Sequence, residues 1–125
     1  MGRIRQYIEV GDKEHWTLFD SGARNTYVTK EVAANLPRFQ LDTPNQVALG
    51  GKVHYVNEDC RLVCKIKGYQ IRANVLVLDS IGKDDDGKPI EVLIGALTMQ
   101  NWGIALIPEK EDIDLSNYPK EFVEF

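Results

Sequence analysis

Residues 16–36 read WTLFDSGARNTYVTKEVAANL. An apolar, β-prone run from Trp16 to Phe19 stops at Asp20-Ser21-Gly22, followed by Ala23. Asp, Ser and Gly are the residues that turns prefer. NTYVT then reads as a short strand and TKEVAANL as a short helix, with Thr29 at its N-cap and Pro37 just past its end. Strand, turn, strand and helix make ordinary architecture. What flanks them decides whether Asp20 merely ends a strand or serves a site.

Working outward, RIRQYIEV alternates Ile4, Ile8 and Val10 against Arg3, Arg5 and Glu9, which predicts a half-buried strand. Gly11-Asp12 offers a tight turn into the strand EHWTLF. Downstream, NQVALGGKVHYVN places two β-prone arms around Gly50-Gly51, a hairpin signal because the favoured two-residue turn needs φ > 0 at both positions. CRLVCKI and YQIRANVLVL are further strands, separated by Lys67-Gly68. DSIGKDDDGKP is an acidic, turn-rich loop, read first as a solvated turn. EVLIG is a short strand, ALTMQNW a helix with Gly103 at C′, and IALI a strand closed by Pro108. Ile113, Leu115, Tyr118, Phe122, Val123 and Phe125 in the charged tail predict that part of it is buried. The class is mostly β, with one or two short helices.

The 125 residues suit one domain, and 43% hydrophobic with 27% charged residues suits an ordinary globular core. A net charge of −4 argues against a broad nucleic-acid surface. No apolar run reaches the roughly 20 residues of a transmembrane helix, and MGRIRQYIEV carries no apolar stretch of a secretory leader. Cys60 and Cys64, four residues apart in a strand, stand roughly 13 Å apart, too far for a disulfide. Two reduced thiols are expected, in a cytoplasmic protein not associated with membranes. His15 and His54 are isolated, and the acidic loop lacks the ligand spacing of a Ca²⁺ loop, so no metal site is expected.

LFDSGA, the Gly50-Gly51 hairpin and VLIGALTMQNWGIAL, in that order, resemble the retropepsin-like (clan AA) aspartic proteases. The segment after LFDSGA looks like that of retrotransposon-type members, and the late glycine segment like that of bacterial and archaeal ones. The resemblance covers residues 4–107 and implies a closed acid-protease β-barrel with a flap hairpin. Residues 1–107 are then the protease domain and 108–125 a C-terminal extension. An aspartic protease needs two carboxylates that share one proton and hold one water. Asp-Ser-Gly occurs once, so a two-lobed monomer is excluded and the resemblance implies a homodimer with one Asp20 from each subunit. No cofactor is implied, and the partner besides a second copy is a peptide or protein substrate.

Residue by residue, the resemblance makes Asp20 the catalytic carboxylate. Ser21 becomes a brace between the two loops and not a nucleophile, since no Gly-x-Ser-x-Gly surrounds it. Gly22 lets backbone approach the carboxylates, and Gly95 packs behind the loop. Ala23, Arg24 and Leu93, with Ile90 beside it, fall in the substrate site, and Gly50 and Gly51 at the flap tip.

The sequence also departs from the pattern. Retroviral enzymes carry acidic residues where Arg24 and Asn25 stand, and an Arg where Ala96 stands. Both ends of that ion pair are missing together, so a dimer must be braced otherwise. Arg24 in the cleft is expected to turn preference towards acidic groups. In the retroviral enzymes an N-terminal strand interleaves with the partner's C-terminal strand. This sequence begins about where that strand would end and runs on past Ile107, so residues 108–125 are expected to supply much of the interface. The alternative reading is a non-catalytic dimeric module of the same fold that grips peptides.

Overall fold

The computed structural model describes residues 2–120. β1 (Arg3–Val10) and β2 (Lys13–Asp20) form a hairpin through Gly11-Asp12, with Gly11 at φ +65°. The pairing steps outward from Val10 opposite Lys13 and ends with Arg3 opposite Asp20. β2 runs parallel to β9 (Val92–Ile94). β9's other edge takes β3 (Tyr27–Thr29), antiparallel. β9 therefore lies between the strand that ends in Asp20 and the strand that follows the turn. The turn must arch over the end of β9, where Gly95 comes next.

From β3 the sheet continues through β6 (Tyr69–Leu78), β5 (Lys52–Ile66) and β4 (Arg38–Leu49). β1 also meets β5 at Glu9 opposite Lys65, which joins six strands into a ring and leaves β4 outside it. β4 and β5 form a hairpin with Leu49 opposite Lys52. Its two-residue turn is Gly50-Gly51, at φ +55° and +80°, as the sequence predicts. β4 begins earlier than its sequence suggests. The register shifts between Gln40 and Asn45, around Pro44, which has no N–H to give a ladder.

Other elements hold with adjustments. Helix α1 is short, Lys30–Ala33. Thr29 occupies its N-cap position with an extended backbone but makes no side-chain cap bond, and its buried hydroxyl has no partner among the described residues. α2 (Ala96–Trp102) ends at Gly103, at φ +66°. The acidic loop is more ordered than a solvated turn. β7 (Gly82–Lys83) pairs with β8 (Pro89–Ile90), and Asp84 accepts bonds from the Asp86 and Lys88 amides at 2.9 and 2.8 Å. The indole N–H of Trp16 donates to the same carboxylate at 2.8 Å. These bonds, the Lys88 amide foremost, hold the Asp84 carboxyl below the usual range.

The ring encloses the main core. Cys60, Leu62, Cys64 and Ile66 alternate inward from β5 to meet Ile4, Ile8, Phe19 and Ile94. Both cysteines are free, and burial pushes their thiols up to about 11 and about 12. A second cluster, Leu18, Tyr27, Val56, Leu78, Ile90 and Leu93, lies on the side of the Gly50-Gly51 hairpin.

The C-terminal segment folds back on its own chain. After β10 (Ala105–Ile107) and a 3₁₀ turn (Pro108–Lys110), β11 (Asp112–Asp114) pairs with β10 and buries Ile113 and Leu115 in the main core. Tyr118 packs against Tyr69 and Trp102, and its hydroxyl donates to the Gln70 carbonyl at 2.6 Å. The expected burial of the tail thus holds for Ile113 and Leu115. Phe122, Val123 and Phe125 lie outside the described residues. Among the described residues, no helix is long and apolar enough to cross a membrane.

Candidate active site

Asp20 ends β2 at 8% exposure, with buried Thr17, Leu18 and Phe19 before it. Its backbone carbonyl accepts the Ala23 amide at 3.1 Å, which closes the turn. The Gly22 amide donates to Oδ1 of its carboxylate at 2.8 Å. The Nε of Arg3, directly across the hairpin, lies 3.4 Å from Oδ2. The carboxylate is therefore held on both oxygens, one by backbone and one by a guanidinium. Ser21 faces solvent beside the N-terminal segment. Its hydroxyl accepts the Gly2 amide at 2.8 Å, and its own amide donates to the Gly2 carbonyl at 3.1 Å.

The turn is clamped from behind. The first amides of α2, Ala96 and Leu97, donate to the carbonyls of Ala23 and Arg24 at 2.7 and 3.1 Å. A helix start normally leaves such amides unpaired. Gly95 sits against the turn so closely that a Cβ there would lie 2.2 Å from the Asn25 carbonyl oxygen. Its amide donates to the Thr26 hydroxyl at 3.1 Å, and that hydroxyl meets the Thr98 hydroxyl at 2.7 Å, with both threonines buried.

A cleft of about 460 Å³ opens above Asp20. Gly22, Ala23, Arg24 and Tyr27 line it from below, and Val47, Leu49 and Gly50 of the hairpin from above. Of the residues singled out in the sequence, Asp20, Gly22, Ala23, Arg24 and Gly50 come together here. Ser21 borders a separate groove, beside Gly2 and Ala96. Gly51 is at the hairpin tip but outside the lining, and Leu93, 4% exposed, lies in the cluster beneath the cleft wall with Ile90. Arg3, Thr26, Thr98 and Tyr27 were not singled out by sequence. For Arg3 a signal existed: the turn at Gly11-Asp12 fixes a register that ends at Asp20. Among the described residues, no group of three or more His, Cys, Asp or Glu could hold a metal ion.

Compared by sequence, the chain matches no family model and no curated protein. Its fold does have counterparts among solved structures. The retroviral protease-like domain of Ddi1 from Leishmania major aligns over 94% of this chain and 90% of that one, with a TM-score of 0.67 and 13% identity. The fold is retropepsin-like. The EIAV protease, complexed with the inhibitor HBY-793, aligns over 85% of this chain and 93% of its own, with a TM-score of 0.59 and 20% identity. The foamy viral protease-reverse transcriptase, complexed with an RNA/DNA hybrid, gives a TM-score of 0.53 at 17% identity; the match covers 80% of this chain and 12% of that one. At such identities the likeness is one of fold, and it carries over no residue's role.

Proposed function

We propose that the protein is a homodimeric aspartic endopeptidase. One observation carries the reading: in a retropepsin-like fold, a nearly buried aspartate stands at the floor of a cleft roofed by a hairpin. Two Asp20 side chains, one from each subunit, meet on a two-fold axis and hold a water between them. One carboxylate takes the water's proton as it attacks the peptide carbonyl. The other, protonated, donates to the carbonyl oxygen. Gly22 holds the carboxylate plane, and Gly95 and α2 hold the turn that carries it. The Gly50-Gly51 hairpin acts as a flap that closes over an extended peptide. Residues 1–107 form the catalytic domain, and 108–125 contribute to the dimer contact. Free, buried Cys60 and Cys64 fit a reducing compartment such as the cytoplasm.

The Arg3–Asp20 ion pair favours a second reading, a dimeric peptide-binding module without catalysis, because a carboxylate partnered within its own subunit has less call for a shared proton. One experiment separates the two. Purified protein and Asp20→Asn are incubated with a diverse peptide mixture from pH 4 to 7, and cuts are read by mass spectrometry. Cleavage that disappears in Asp20→Asn is the expected result. No Asp20-dependent cut at any pH leaves the binding module.

A further inference from the structure

The cleft carries more positive charge than one carboxylate uses. Arg24 lines it, is exposed, and makes no ion pair among the described residues. Arg3 lines it too, with its side chain 65% exposed and, among the described residues, only its Nε engaged, on Asp20. Among the described residues, no other acidic side chain is in the lining. The rest of the lining is largely apolar: Ala23, Tyr27, Val47 and Leu49. Apolar walls beside a free guanidinium suit a peptide with apolar side chains and a carboxylate, rather than a polyanion that would need a continuous basic track.

We infer that the cleft selects peptides carrying an aspartate or glutamate side chain, with Arg24 taking the carboxylate. A guanidinium grips a carboxylate through a planar, two-pronged fork, and Arg24 has that fork unspent. Arg3 fixes the Asp20 carboxylate and offsets its repulsion of an acidic ligand. The inference rests on the reading of the cleft as a peptide site. Under the two-fold arrangement, Arg24 occurs on both sides of the bond to be cut, so the preferred peptide has an acidic residue on each side.

The test uses the double variant Arg3→Gln/Asp20→Asn, which removes the proposed catalytic carboxylate together with the guanidinium that its loss would free in the same cleft, and fluorescein-labelled octapeptides of Leu, Ala and Tyr with Glu, Gln or Lys at single and paired positions. Binding is read by anisotropy at low and moderate salt. A single Glu is expected to bind about tenfold tighter than Gln, the scale of one charge-assisted hydrogen bond, and a second Glu on the other side to add to it. Salt should weaken the preference. Arg24→Gln should abolish it, and Arg24→Glu should reverse it towards Lys, an outcome misfolding cannot mimic. Equal binding of Glu and Gln peptides, a preference that survives Arg24→Gln, or no binding at millimolar peptide would overturn the inference. A paired Glu no better than a single one would overturn its two-sided form. Wild-type cleavage of the same peptides separates the two claims. Glu-selective binding without any cut removes the protease and keeps the selectivity, and cutting without selectivity does the reverse.

Discussion

A Cβ on Gly95 would stand 2.2 Å from the carbonyl oxygen of Asn25 and 2.8 Å from that of Arg24. Both neighbours are backbone, so no side chain can swing away. The turn after Asp20 would have to lift. Gly95→Ala is therefore expected to cost about 3 kcal/mol, the upper end for overpacking, and to lower Tm by on the order of 10 °C. Calorimetry measures this directly. A Tm within about 2 °C of wild type would mean that the turn yields easily.

The same turn depends on Thr26. Its hydroxyl serves the buried Gly95 amide and the Thr98 hydroxyl together. Thr26→Val strands both groups and should cost about 2–3 kcal/mol, whereas Thr98→Val leaves the Gly95 amide satisfied and should cost about 1 kcal/mol. The double variant should be less destabilised than the sum of the two. Denaturant midpoints at constant slope provide the values.

Much of this frame is legible in the sequence because strand parity and glycine signals are local. The Gly50-Gly51 turn, the inward face of Cys60 to Ile66 and the helix closed by Gly103 each follow from a few adjacent residues. The Thr26–Thr98 pair and the burial of Leu93 beneath the cleft wall were not, since they depend on β9 being inserted between β2 and β3. That is a non-local pairing with no short-range signature. Pro44 hid the first half of β4, and the aspartates of the 79–89 loop suggested solvation where Asp84 in fact anchors a turn to Trp16.

Asp112 ties the C-terminal segment to the barrel. Its Oδ1 accepts from Lys67 Nζ at 2.5 Å and from Gln6 Nε2 at 2.6 Å. The Lys67 bond, then the Gln6 bond and the Ile113 amide, lower the carboxyl to about 2. The unfolded value lies near ~4, so the ionised group favours the folded state. That contribution is complete above the unfolded value and is lost as pH falls from about 4 through 2. Wild type should be more stable than Asp112→Asn at pH 6, with the gap closing below pH 4. A gap independent of pH would point to shape rather than charge.

The raised thiols of Cys60 and Cys64 predict inertness. Reaction proceeds through the thiolate, which burial disfavours in both. A thiol reagent at pH 8 should label neither in the folded protein and both after denaturation. Rapid labelling of the native protein would mean that the β5 face opens readily.

The extension after Ile107 packs into its own chain's core and is proposed to contribute to the dimer contact, and one deletion would confuse the two. Ile113 and Leu115 complete the subunit's own core, at about 1.5–3 kcal/mol each, so removing residues 108–125 should unfold the subunit whatever its partner does. Cutting after Tyr118 keeps β11 and the Tyr118 contacts with Tyr69 and Trp102. It removes Phe122, Val123 and Phe125, the large apolar residues of the tail that lie outside the described residues. If the extension builds the dimer, this shortened chain should keep its Tm at high dilution. It should also sediment as a monomer at concentrations where the full chain is a dimer. An undiminished dimer would move the contact elsewhere. The groove beside Ser21, between Gly2 and α2, would then be the surface to probe next.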